Sequence, residues 1–156
     1  MITLIWAQDE KGVIGLNNRL PWNIKSEMQF FVNYTKNKKV LMGRNTWESL
    51  RLKPLPNRTN YVVTSRVIDL KHPDLIIIND FENFLNSYKN SSEELIIIGG
   101  KQIYDFSLKF ANKLVVSVVK GLYEGDTFAP QINDKEFTLT ETIYNDEFEV
   151  KIYTRN

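Results

Sequence analysis

One acid stands among rings in the stretch Gly12–Tyr34, GVIGLNNRLPWNIKSEMQFFVNY. Glu27 is followed at helical spacings by Phe30, Phe31 and Tyr34. On a helix these four side chains share a face. A carboxylate beside an apolar face needs a partner or a task. The task would be to hydrogen-bond a cationic or amide-like ligand in a pocket. The plainer account is electrostatic: a negative charge in a first helical turn is favoured by the macrodipole, by about 0.3–1 kcal/mol. The helix by itself favours the plainer account.

Three further stretches could hold an anion or another ligand. In VLMGRNTWESL (Val40–Leu50) an apolar run breaks at Gly43. A short helix then begins with Arg44 and Thr46 beside its free N–H groups, a good anion site. A plain strand-to-helix connection with a surface arginine fits these residues equally well. NYVVTS (Asn60–Ser65) ends in Thr64 and Ser65, with Arg66 next. Open α/β sheets bind ligands just past a strand's carboxyl end, although a polar turn is the commoner meaning of Ser-Arg. In ELIIIGGKQIY (Glu94–Tyr104) the adjacent Gly99 and Gly100 allow close backbone approach or unusual dihedrals. This is not the GxGxxG fingerprint of a standard dinucleotide fold. His72, the single histidine, sits before Pro73 in a polar loop and reads as a surface residue. No metal cluster is expected.

The elements that must position these residues follow from apolar runs and turn signals. Ile2–Ala7 reads as a buried strand. Gly12–Trp22 reads as a loop, and Pro21 delays the helix until after Trp22. Asn23 is a fair N-cap for a helix ending near Thr35. Strands are expected at Val40–Met42, Asn60–Ser65, Leu75–Ile78, within Glu94–Ile98, and at Leu114–Val119. Asp80 caps a helix reaching about Tyr88. EGDTFAP (Glu124–Pro130) reads as a loop because Gly125, Asp126 and Pro130 break it. The last two alternating runs, around Asn145 and Asp146, read as a hairpin. Most crossovers are long enough for parallel pairing, and the tail pairs antiparallel.

The 156 residues fit one domain, 1–156. Twenty basic and 19 acidic residues give a net charge of +1. That balance argues against a nucleic-acid partner. Cysteine is absent, which excludes disulfides and a thiol nucleophile and fits a reducing compartment. No apolar run approaches a membrane span and no leader is read at the N-terminus. A cytoplasmic protein is expected.

WAQDEKGVIG, LPW with Glu27, VLMGRNTWESL, PLPNRTN, IIIGGKQIY and EGDT occur here in one order and cover nearly the whole chain. Each is weak alone. Together they resemble dihydrofolate reductase. The resemblance implies a single α/β domain with an eight-stranded, mostly parallel twisted sheet, an antiparallel C-terminal hairpin and four flanking helices. It implies a catalytic set of Glu27, Trp22 and Ser117, where Ser117 stands for the more usual Thr. Ile5, Ala7, Met28, Phe31, Leu50, Leu55 and Ile98 look like apolar walls around a pterin and its benzoyl ring, with Tyr104 beside them. Arg58 looks like the clamp for the substrate's α-carboxylate, because a guanidinium fork meets both oxygens.

The same resemblance implies NADPH as cofactor. Arg44, Thr46, Thr64, Ser65 and Arg66 look like its phosphate contacts, with Gly43 and Asn45 alongside. Gly99, Gly100, Lys101, Gln102, Ile103 and Tyr104 look like the nicotinamide side and nearby phosphate groove. Ala7, Ile14, Gly15, Asn18 and Leu20 look like contacts from the first strand and a mobile lid. Val32 stands where a basic residue is common, and Ala129 where an aromatic often precedes the proline. The implied reaction is reduction of dihydrofolate to tetrahydrofolate by a monomer. A related reductase of a pterin or pyrimidine, and a catalytically idle folate- or NADPH-binding module, are the alternatives.

Overall fold

The apolar runs do become strands. The computed structural model describes residues 1–17 and 19–156. In chain order the elements are β1 (Ile2–Gln8), β2 (Val13–Gly15), α1 (Lys25–Thr35), β3 (Lys39–Gly43), α2 (Arg44–Ser49), β4 (Thr59–Val63), β5 (Leu75–Ile78), α3 (Phe81–Tyr88), β6 (Leu95–Ile97), α4 (Lys101–Ser107), a 3₁₀ turn (Leu108–Phe110), β7 (Lys113–Val119), β8 (Thr127–Phe128), β9 (Phe137–Tyr144) and β10 (Phe148–Arg155). Eight strands form one sheet in the order β5-β4-β3-β6-β1-β7-β10-β9. Pairing is parallel from β5 to β7. Only β10 runs antiparallel to its neighbours, β7 and β9.

Side-chain alternation splits the core into two layers. Leu4, Trp6, Leu41, Ile97 and Val116 face α3 and α4, where Leu85 and Tyr104 meet them. Ile5, Val40, Met42, Ile96 and Val115 face the other way, toward Phe30 and Tyr34 of α1 and Trp47 of α2. Central strands buried on both faces explain why β1, β3 and β6 read as unbroken apolar runs.

Three expectations need correction. EGDTFAP is not all loop: Thr127–Phe128 is a strand, paired antiparallel with Val13–Gly15 in a separate ribbon. Gly125 lets the two segments close, because a Cβ there would lie 2.1 Å from Val13 Cγ1. Gly12–Trp22 is accordingly not a plain loop either. Asn23 does not cap α1: the cap is Ile24, extended and without a side-chain bond. Ile24 is buried in the α1-side layer, so its burial rather than a cap sets where the helix begins. Asp80 does cap α3, its carboxylate accepting from Asn83 N. Three residues, Asn145–Glu147, turn the final hairpin, with Asn145 N donating to Phe148 O at 3.0 Å.

Candidate active site

The chemistry-bearing residues gather at the carboxyl ends of the parallel strands, where such sheets form their crevice. Ile5 lies mid-way along β1 and Ala7 next to its end, Gly43 ends β3, Thr64 follows β4, and Ile98 with Gly99 follows β6. Ser117 on β7 lies in register with Ala7 on the neighbouring strand and is buried. The α1-side layer joins Ile5, Ala7, Leu50, Leu55 and Ile98 with Trp22 into one apolar cluster. Phe31 is half-buried and does not join this cluster. Met28 and Leu20 are exposed and are not part of the cluster.

Glu27 is 5% exposed in the first turn of α1. Burial pushes its carboxyl up to about 7, and among the described residues no cation or hydrogen-bond donor offsets that burial. The helix dipole is therefore outweighed, since desolvation works against the charge that the dipole favours. The indole Nε1 of Trp22 is a second polar group without a described partner. Its ring meets Tyr123 edge-on, with centroids 5.2 Å apart. Two buried polar groups left to a ligand or water are a mark of a site rather than of a core.

Arg58 is 9% exposed and rigidly held. Its Nε donates to Thr35 Oγ1 at 3.0 Å, Nη2 to Val32 O at 2.9 Å, and Nη1 to Pro56 O. One N–H remains on each terminal nitrogen, enough for a carboxylate. Burial pulls this guanidinium's pKa down, so an anion here would repay desolvation. Thr35 closes the arrangement by donating to Phe31 O at 2.8 Å. Its role had no signal in the sequence.

The two glycine-bearing motifs meet. Gly43 N donates to Gly99 O at 2.8 Å, joining the ends of β3 and β6. A Cβ on Gly43 would lie 2.8 Å from Ile103 Cγ1, and one on Gly99 would lie 3.2 Å from Thr46 Oγ1 and 3.3 Å from the Tyr104 hydroxyl. Gly99 adopts φ +128°, and its peptide with Gly100 is cis. Tyr104 is buried in the opposite layer and donates to Ile5 O at 2.6 Å. Burial, then the charge of Glu27, raises its phenol pKa. Lys101 pairs with Asp105 at 3.1 Å, and Gln102 is exposed.

Arg44 is not left open to solvent. Its Nε donates to Glu48 at 2.9 Å and its Nη1 to Val67 O at 3.2 Å. It thereby draws the Thr64–Val67 segment against α2. Thr64 Oγ1 accepts from Arg66 N at 3.1 Å, while Ser65, Arg66 and Asn45 are exposed. The lid carries Ile14, half-buried, and Gly15, buried. Its tip is docked: Asn17 N donates to Asp126 Oδ2, and Asp126 N to Gly15 O, both at 3.0 Å. Asn18 lies outside the described residues.

A family model described as dihydrofolate reductase matches residues 1–155. This chain belongs to the dihydrofolate reductase family. The dihydrofolate reductase of Ureaplasma parvum is 40% identical, over 99% of this chain and 97% of the relative. That of Mycoplasma genitalium is 36% identical, over 99% and 98%. A solved dihydrofolate reductase from Enterococcus faecalis, complexed with NADP(H) and RAB-propyl, superposes with a TM-score of 0.86. It is 29% identical, with 100% of this chain and 96% of that one covered. The fold expected from the family is the fold found.

Asp9 is the dihydrofolate reductase residue that the sequence reading left without a role. It lies inside WAQDEKGVIG, is fully buried, and accepts three backbone N–H bonds. An acid directly after an apolar strand, ahead of a glycine turn, was the signal available.

Proposed function

We propose that this chain reduces dihydrofolate to tetrahydrofolate with NADPH, using Glu27 to hold and polarise the pterin. The observation that carries the reading is the burial of Glu27 without a partner, its carboxyl raised to about 7. The pterin edge presents a ring N–H and an exocyclic amine, a bidentate match for two carboxylate oxygens. Those donors would offset the burial and return Glu27 to its anion. Fixing that edge fixes which ring face is presented to the cofactor side. The edge lies across the ring system from N5, so the proton added to N5 comes from water while the hydride goes to C6. Arg58 would take the substrate's α-carboxylate on its two remaining N–H groups.

The site also suits NADPH. The bare backbone at Gly43 and Gly99 leaves a cradle that a Cβ would fill. Thr46, Thr64, Ser65 and Arg66 would meet phosphate oxygens, with Arg44 tying their segment to α2. When bound, NADPH supplies the hydride. We propose a cytoplasmic location, with which the lack of cysteine is compatible, and a monomer; cell fractionation tests the first and sedimentation the second.

The test is spectrophotometric. NADPH oxidation should require dihydrofolate and should fall sharply in a folded Glu27→Gln variant. Turnover of another pterin or a pyrimidine in preference would favour the related-reductase reading. Tight binding without oxidation would favour the idle module.

A further inference from the structure

Two segments far apart in sequence share one buried charge. The Asp9 carboxylate is closed from solvent at the end of β1. Its Oδ1 accepts from Lys11 N and Val13 N, each at 2.9 Å, and its Oδ2 from Tyr123 N at 2.9 Å. Asp9 N also donates to Val13 O at 3.0 Å. These N–H groups hold the carboxyl below its ordinary value although burial opposes them, so the anion persists at neutral pH.

Lys11 and Val13 form the root of the lid. Tyr123 opens the segment that receives the lid, since β8 pairs with β2 and Asp126 takes Asn17 N. The Tyr123 ring also packs edge-on against Trp22, where the lid ends. The lid is therefore clasped at root, tip and end by residues 123–128, and the root clasp is the one built on a fully buried charge, the Asp9 carboxylate. The Asn17–Asp126 bond at the tip, by contrast, joins two exposed residues.

We infer that Asp9 is a positioning residue for the reaction: its buried carboxylate is the fixed pivot that sets the lid's root and, through Tyr123, the place of Trp22 beside the pocket. The inference rests on the reductase reading for its kinetic arm only. Asp9 touches no substrate. It acts by confining the lid's movement to residues beyond Gly15 and by keeping Trp22 in line with Glu27.

Asp9→Asn tests this, because an amide keeps one acceptor and places an NH₂ group against a backbone N–H. With folding verified by circular dichroism, kcat should fall about tenfold to a hundredfold, the scale of a small misplacement of reacting groups. The dihydrofolate KM should stay within about twofold, since the clamp at Arg58 is untouched. The kinetic isotope effect on kcat with deuterated NADPH should rise as hydride transfer becomes limiting, and the pH profile should keep its inflection. Tyr123→Ala should lose about as much, and the double variant little more than either, as expected of residues acting as a unit.

Hydrogen exchange on the wild type supplies a readout that needs neither a variant nor turnover. The amides of Val13 and Tyr123 should stay protected with and without NADPH, while that of Asn17 changes. Exchange at Val13 and Tyr123 that rises and falls with Asn17 would overturn the pivot. So would a folded Asp9→Asn enzyme with wild-type kcat and isotope effect. A wild type without dihydrofolate-dependent oxidation counts against the reductase reading, and exchange still decides the pivot.

Discussion

Glu27→Gln separates two forces that act on one side chain. The folded apo protein holds a proton near pH 7 that the unfolded chain releases near 4.5. Protons bound in excess by the native state mean that stability falls as pH rises between those values, by up to roughly 3 kcal/mol. Glu27→Gln removes that penalty. The apo variant should be more stable than wild type at pH 8, and the difference should vanish toward pH 4.5 in denaturant titrations. The macrodipole account gives the opposite sign, a loss of about 0.3–1 kcal/mol. Activity should fall on the order of 10²–10⁴-fold at neutral pH and recover partly as pH drops. Arg58→Lys keeps the charge but abandons Val32 O, Pro56 O and Thr35 Oγ1. It should raise the dihydrofolate KM, spare a tail-less dihydropterin, and cost about 1–3 kcal/mol of stability from unpaired acceptors. Arg66→Ala should weaken NADPH about tenfold or more while leaving NADH nearly unchanged. Arg44→Ala should weaken both cofactors, because Arg44 also holds the Arg66–Val67 backbone against α2. Equal loss for both cofactors in Arg66→Ala would move the 2′-phosphate contact elsewhere. Glu27 and Arg58 were legible because type and spacing marked them. Thr35 and Asp9 were not, since only the fold brings the Arg58 guanidinium to Thr35 and the Tyr123 N–H to Asp9.

At the scale of elements, the β2–β8 ribbon is the part most open to a single test. Gly125→Ala would push a methyl into Val13 Cγ1 and against Gly15 O, which lies 2.9 Å from the added Cβ. The ribbon should part while the eight-stranded sheet stays intact. Hydride transfer in single turnovers should slow, with thermal stability changed little; equal single-turnover rates would deny the ribbon a role in closure. Asp126→Ala, which removes the tip bond to Asn17, should act in the same direction. This ribbon was illegible in the sequence for a physical reason. A strand of two residues shows no periodicity, and its partner is more than a hundred residues away. The cap of α3 was legible because Asp80 and Asn83 are neighbours on the chain. The start of α1 was not, because burial of Ile24 under the sheet overrode the local preference of Asn23.

For the whole molecule, the order β3-β6-β1 carries the site, since it sets the glycines after β6 between the ends of β1 and β3. The apolar runs made each strand readable, but their spatial order came from the family likeness. That order also bears on how the chain is made. β1 pairs only with β6 and β7, so both of its partners leave the ribosome after residue 94. At about 5–20 residues per second, ITLIWA waits on the order of ten seconds with neither edge hydrogen-bonded. β3, β4 and β5 meanwhile can ladder together without it. A ribosome-stalled chain ending before Leu95 should be cut by protease within Ile2–Gln8, and one stalled well past Val119 should resist. The strand synthesised first is thus among the last to be housed, and until then it stands as an unpaired apolar edge, the kind of surface that chaperones shelter.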